Sequence, residues 1–161
     1  MPLVEQGWGP TPTPSLREYG SAYGNCYIST PGETTIATVN VPVALAGAST
    51  AGPLNSFSHT SPGKLTYLAS NTETFLVNAT AVVTCAGDAK RIVLSIAKNT
   101  TVNTASEIGV TMATGAIATS LNAQAVVELA QGDYVSVYIE NTVDDVNATG
   151  ALCNLTVLQV S

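Results

Sequence analysis

Side chains that alternate apolar and polar with a period of two, in short runs closed by turn residues, restrict this chain to β-structure. In "FLVNATAVVTCAG", Phe75, Val77, Ala79, Ala81, Val83 and Cys85 share one face, opposite Leu76, Asn78, Thr80, Val82 and Thr84. "YVSVYIEN" repeats the pattern, with Val135, Val137 and Ile139 on one side and Tyr134, Ser136, Tyr138 and Glu140 on the other. One face of each run belongs to a core, and the other meets water or a partner.

The remaining runs are punctuated in the same way. "NCYIST" and "TTIATVNV" read as two β-rich stretches separated by a turn at Pro31-Gly32, and "VALAGASTAGPLNS" reads as a small-residue loop. Pro62-Gly63 precedes the strand "KLTYLAS", and Asp88 falls in a turn. "KRIVLSIAKN" puts Ile92, Leu94 and Ile96 inward, "KNTTVN" is a hairpin tip, and "GALCNLTVLQVS" is a final strand. "TSLNAQAVVELAQGD" is the one segment with helical features: Leu121, Ala125 and Leu129 at helical spacing, Ser120 as a cap and Gly132 as a stop. Val126-Val127 favours strand, so its second half is predicted to be extended. Eight or more short strands without a firm helix predict an all-β, antiparallel β-sandwich or jelly roll over residues 23–161.

Residues 1–22 are different. "GWGPTPTPSLREYG" carries Pro10, Pro12 and Pro14 at alternate positions, which removes backbone donors and favours an extended path. Trp8, Tyr19 and Tyr23 are poor choices for a solvated tail, so this extended N-terminal arm is expected to pack on its own domain, a neighbour or a larger assembly.

Charged residues make up only 10% of the 161-residue chain while apolar content is 45%, so the surface is largely neutral and rich in hydroxyls and amides. A net charge of -6 argues against DNA or RNA, whose phosphates require a basic partner. No run is long and apolar enough to cross a bilayer and "MPLVEQGWGP" is no secretory signal, so no membrane partner is expected and the protein is made in a cytoplasm. Cys26, Cys85 and Cys153 include no C-x-x-C pair, and read as buried free thiols rather than a zinc site.

Chemistry is thin. His59, in the loop-like "NSFSHTSPG", is the sole histidine, and no G-x-S-x-G elbow accompanies it. Asp144, Asp145 and Asn147 offer oxygen ligands on one loop, but without calcium-loop spacing a solvated connection is the better reading. Sequons at Asn78, Asn99, Asn147 and Asn154 are no more than a Thr-rich sequence yields by chance. No enzyme activity, cofactor or metal is expected.

Two stretches, "RIVLSIAKN" and "AVVELAQGDYVSVYIEN", resemble the strand pair and the L-x-x-GD-x-V pattern of C1q/TNF-like jelly-roll domains, here Leu129, Gly132, Asp133 and Val135. Versions with a KN hairpin are similar to domains of tailed-phage virion proteins, including capsid decoration (cement) proteins and fibre heads. The resemblance implies a ten-stranded jelly roll and a homotrimer around a three-fold axis, with the first strand, near Cys26, beside the last, near Leu152 to Val160. Cys26 and Cys153 would then be neighbours. The face formed by Leu152, Asn154, Thr156 and Leu158 becomes the trimer-contact candidate. The expected function is a non-enzymatic virion protein that binds the outside of a phage capsid, with the major capsid protein as partner and Trp8, Pro10, Pro12, Pro14 and Tyr19 as capsid contacts. The alternative is a receptor-binding or adhesive fibre head that contacts a host glycan or protein through the loops "VALAGASTAGPLNSFSH" and "NTVDDVNATG".

Overall fold

The computed structural model describes residues 21–113 and 117–160. Eleven strands and no helix occur among them: β1 (Tyr23–Thr34), β2 (Val43–Ala44), β3 (Gly47–Asn55), β4 (Phe57–Thr60), β5 (Lys64–Tyr67), β6 (Glu73–Cys85), β7 (Lys90–Lys98), β8 (Thr101–Met112), β9 (Thr119–Leu129), β10 (Tyr134–Asn141) and β11 (Ala148–Gln159). They form two antiparallel sheets, one ordered β3-β1-β11-β6-β9 and one ordered β4-β5-β10-β7-β8, with β2 paired to β10. The first and last long strands lie side by side inside the first sheet, Tyr23 opposite Leu158 and Tyr27 opposite Asn154. That closure, with sheets that exchange strands along the chain, makes the sandwich a jelly roll.

The alternating apolar positions become the core. Phe75, Val77, Ala79, Ala81 and Val83 of β6 are sealed against Ile92, Leu94 and Ile96 of β7 and Val135, Val137 and Ile139 of β10. Phe57, Tyr67 and Phe75 form an aromatic cluster with ring centroids 4.9 to 5.3 Å apart. Each such ring removed from water contributes roughly 2 kcal/mol. Where β7 and β8 slip register between Leu94 and Ile96, the buried Ser106 hydroxyl accepts the Ile96 amide at 2.9 Å and donates to Asn103 O at 2.6 Å. The side chain thereby satisfies a backbone group that the bulge would leave buried and unpaired.

Four expectations change, the first being that "TTIATVNV" is strand only at Thr34, since residues 35–42 form the turn-containing connection from β1 to β2. Pro31-Gly32 makes no turn: β1 runs through it, Pro31 opposite Gly47 and Gly32 opposite Gly150, at an irregularity in the register. Proline is tolerated where the ladder is already interrupted. The small-residue stretch and the histidine segment are strands β3 and β4 rather than loops, since neighbouring strands supply the pairing their composition does not advertise. The helical features at 120–132 are strand throughout. Leu121, Ala125 and Leu129 lie four apart, a spacing in phase with a strand as well as a helix, and Ala123 and Val127 between them are buried too.

Candidate functional site

The first sheet turns one face to the core and the other outward. Register places the outward side chains in four rows across β1, β11, β6 and β9. The first row is Tyr23, Leu158, Leu76 and Val126, and the second is Asn25, Thr156, Asn78 and Gln124. The third is Tyr27, Asn154, Thr80 and Asn122, and the fourth is Leu152, Val82 and Ser120. None of these side chains is charged. Six of the large apolar residues left exposed stand on this face, among them Val126 at 64%, Leu152 at 62% and Val160, whose amide donates to Thr74 O in a marginal row that also holds the exposed Glu128. These four rows therefore form an apolar band on each side of an amide and hydroxyl band, and Glu128 beyond the first row and Glu33 beyond the fourth mark the charged margins of the face.

The polar band is ordered by hydrogen bonds in the plane of the sheet. Asn25 Nδ2 donates to Asn154 Oδ1 and Thr156 Oγ1, each at 2.9 Å, and Thr156 Oγ1 donates to Asn154 Oδ1 at 3.0 Å. Beside this trio, Asn78 Nδ2 donates to Asn122 Oδ1 at 3.4 Å. At the far end, displaced register in β1 and at Gly150/Leu152 of β11 opens a mainly apolar groove of about 340 Å³ between Tyr27, Val82 and Leu152.

The second sheet's outer face has the opposite character. Arg91, Glu107 and Glu140 stand there, and burial followed by the neighbouring Glu107 pushes the Glu140 carboxyl upward. Lys64 Nζ lies 3.6 Å from the centroid of the Tyr134 ring, so that ring is capped by a cation of the chain itself.

The Asp and His positions have structural work. Asp133 accepts from Lys98 Nζ at 2.8 Å, from the Ala130 amide at 2.9 Å and from Asn99 Nδ2, while Asn99 Oδ1 accepts the Tyr134 amide at 2.9 Å. Lys98, then Ala130 and Asn99, hold its carboxyl down to about 2. The GD of the sequence pattern thus ties the β9–β10 turn to the β7–β8 hairpin. Asp144 pairs with Lys90 and accepts from Asn141 Nδ2 at 2.6 Å, and Asn147 Oδ1 accepts the Ile36 amide at 2.9 Å, so Asp144 and Asn147 spend oxygens within the fold. Among the described residues no three His, Cys, Asp or Glu gather as metal ligands. His59 Nε2 lies 2.8 Å from Ser49 Oγ, which accepts the Gly63 amide at 2.7 Å, and no carboxylate joins the pair among the described residues. This cluster clasps the edge strands β3 and β4 of the two sheets.

Cys26 and Cys153 point inward from adjacent strands and line one cavity of about 10 Å³. Both are free, and burial pushes each thiol up to about 12.

This geometry has relatives. The chain is similar to the structure of Eiger TNF from S. frugiperda, with a TM-score of 0.59 at 13% identity over 88% of this chain and 93% of that one. It is similar to murine APRIL at pH 5.0, with a TM-score of 0.58 at 13% identity over 87% of this chain and 99% of that one. The fold is a TNF-like jelly roll. The likeness at such identity is one of architecture, and neither a protein-family model nor a curated protein matches the chain.

In this TNF-like jelly roll, Leu152, Asn154, Thr156 and Leu158 stand on the uncharged face, on its second strand. Trp8, Pro10, Pro12, Pro14 and Tyr19 lie outside the described residues. Sequence reasoning missed Tyr23, Asn25, Tyr27, Asn78, Val82, Asn122 and Val126 as members of the same face. Their outward parity was legible strand by strand, but only the pairing of distant strands assembles them.

Proposed function

We propose that this protein is a non-enzymatic structural component of a virion: a homotrimer, joined through the uncharged sheet face, that decorates the outside of a phage capsid and stabilises it. The observation that carries the reading is the contrast between the two outer faces: one has four central rows without charge, banded with exposed Tyr, Leu and Val, and carries Glu128 and Glu33 only at its margins, while the other carries Arg91, Glu107 and Glu140. Depletion of charge with retention of aromatic and aliphatic groups marks the centre of a protein interface. The trimeric state and the virion setting carry over from the C1q/TNF and phage-protein resemblance.

The arm supplies the docking element. Ala22 O accepts the Gln159 amide at 3.0 Å, so the first described residues lie at the end of the face marked by Tyr23, Leu158 and Val160. Trp8, Pro10, Pro12, Pro14 and Tyr19 then contact the major capsid protein as an extended segment laid in a groove or along a sheet edge. Many such contacts repeated over a lattice give avidity.

The test is stoichiometry together with truncation. Quantitative mass spectrometry of purified particles should give a copy number matching the capsomer or three-fold positions, and deletion of residues 2–20 should abolish incorporation while circular dichroism still reports the β-fold. A few copies per particle would reassign the protein to a fibre or vertex appendage. Full incorporation of the truncated chain would remove the arm from docking, and absence from particles would overturn the virion reading.

A further inference from the structure

From the arrangement of the outward side chains we infer that the amide band across the middle of the uncharged face, Asn25, Asn78, Asn122, Gln124 and Asn154 with Thr80 and Thr156, is a register lock: it meets residues of a second copy of this chain and specifies how the copies align. The inference rests on the reading of this face as the self-association surface and names the residues that make the association specific.

Three observations point to a second copy as the occupant. First, four strands about 4.8 Å apart, with outward rows every ~6.8 Å, give the rows a footprint of roughly 500 Å² before side-chain relief is counted. That is well over half of the roughly 800 Å² per partner in stable interfaces. Second, the four rows hold no charge, with Glu128 and Glu33 standing only in the marginal rows beyond them, so the amide band of one copy meets that of another without ionic repulsion or buried unpaired ions. Third, a carboxamide carries both donors and acceptors, so a band of amides complements another copy of itself, which a band of cations or carboxylates cannot do.

The banding then dictates alignment. In-plane bonds hold Asn25, Asn154 and Thr156 in place, and Asn78 with Asn122, while the Gln124 amide bonds to no described residue. Shifting one copy by a single row sets amides against Leu152, Val82, Leu158 or Leu76 and buries them unpaired. Each unsatisfied group then opposes the slipped arrangement, whereas two wholly apolar faces would slide with little penalty. A single buried Asn sets register and copy number in coiled coils by the same reasoning.

The experiment compares native mass spectra and light scattering of the full chain, of Asn78→Leu/Asn122→Leu, and of Thr104→Leu/Thr111→Leu, which adds the same apolar groups on β8 of the other sheet. Wild type and the β8 variant should each give one discrete oligomer. The Asn78→Leu/Asn122→Leu protein should associate at tenfold or more lower concentration yet spread over several oligomeric states. A single unchanged state, or a folded monomer, for that variant would overturn the register role. A spread in the β8 variant as well would attribute the effect to exposed leucine in general and overturn it too. A monomeric wild type would overturn the underlying reading of the face instead.

Discussion

Asp133 shows how much of this fold hangs on single polar residues. Its carboxylate accepts from Lys98, Ala130 and Asn99 together, and through Asn99 it reaches the first residue of β10. Replacing it with Asn keeps the shape and removes the charge-assisted bonds, which should lower stability by about 2 kcal/mol in denaturant melts. The pH dependence has a defined sign. The folded carboxyl sits at about 2 against an ordinary 3.8, so its stabilisation is complete above 3.8 and is lost as pH falls from there towards 2. Wild type should therefore lose stability more steeply than Asp133→Asn across that window, and parallel curves would show that the carboxylate contributes nothing. Lys98 makes the largest contribution to the lowered carboxyl but is partly exposed, so solvent screening reduces what it adds to stability.

At the scale of elements, the approach of β1 to β3 is the tightest joint. A Cβ placed at Gly32 would stand 2.6 Å from the Gly47 amide nitrogen and 2.7 Å from its Cα, both backbone atoms that cannot turn aside. Gly47 itself has a φ of +126°, open to glycine and strained for other residues. Gly32→Ala should cost about 2–4 kcal/mol and loosen the edge strand, readable as faster amide exchange in β3 while β6 and β11 stay protected. Uniform protection in the variant would mean the joint relaxes without separating the strands. The Pro31-Gly32 pair thus marks a close crossing inside a sheet, although a sequence alone assigns such a pair to a turn.

For the whole molecule, the two outer faces differ: one carries Arg91, Glu107 and Glu140, and the other presents apolar and amide bands with Glu128 and Glu33 at its margins. Leu152 and Leu158 belong to different bands and face away from the core, so Leu152→Glu/Leu158→Glu should leave the melting temperature within a few degrees of wild type while abolishing the proposed self-association in sedimentation equilibrium. Unchanged association would place the contact elsewhere on the molecule. A collapse of the fold would show that these side chains stabilise the monomer.

The all-β class, the inward residues of β6, β7 and β10, the hairpin at Asn99-Thr100 and the seated cysteines were legible in the sequence, because period-two burial and turn chemistry act over a few neighbouring residues. The resemblance carried by Leu129, Gly132, Asp133 and Val135 extended that to the jelly roll and to the pairing of first and last strands. The candidate face was legible only in part, as the four outward residues of β11. Its other members come from β1, β6 and β9, up to 135 positions away along the chain in the pairing of Tyr23 with Leu158. Strands β3 and β4, poor in β-forming residues, are extended because neighbouring backbones accept them, and 120–132 is strand because its four-residue spacing suits either period. Local chemistry decided what each segment prefers and which side it buries. Which outward sides become one uncharged surface was decided by tertiary pairing alone, since the register between distant strands depends on closing the sandwich around a shared core.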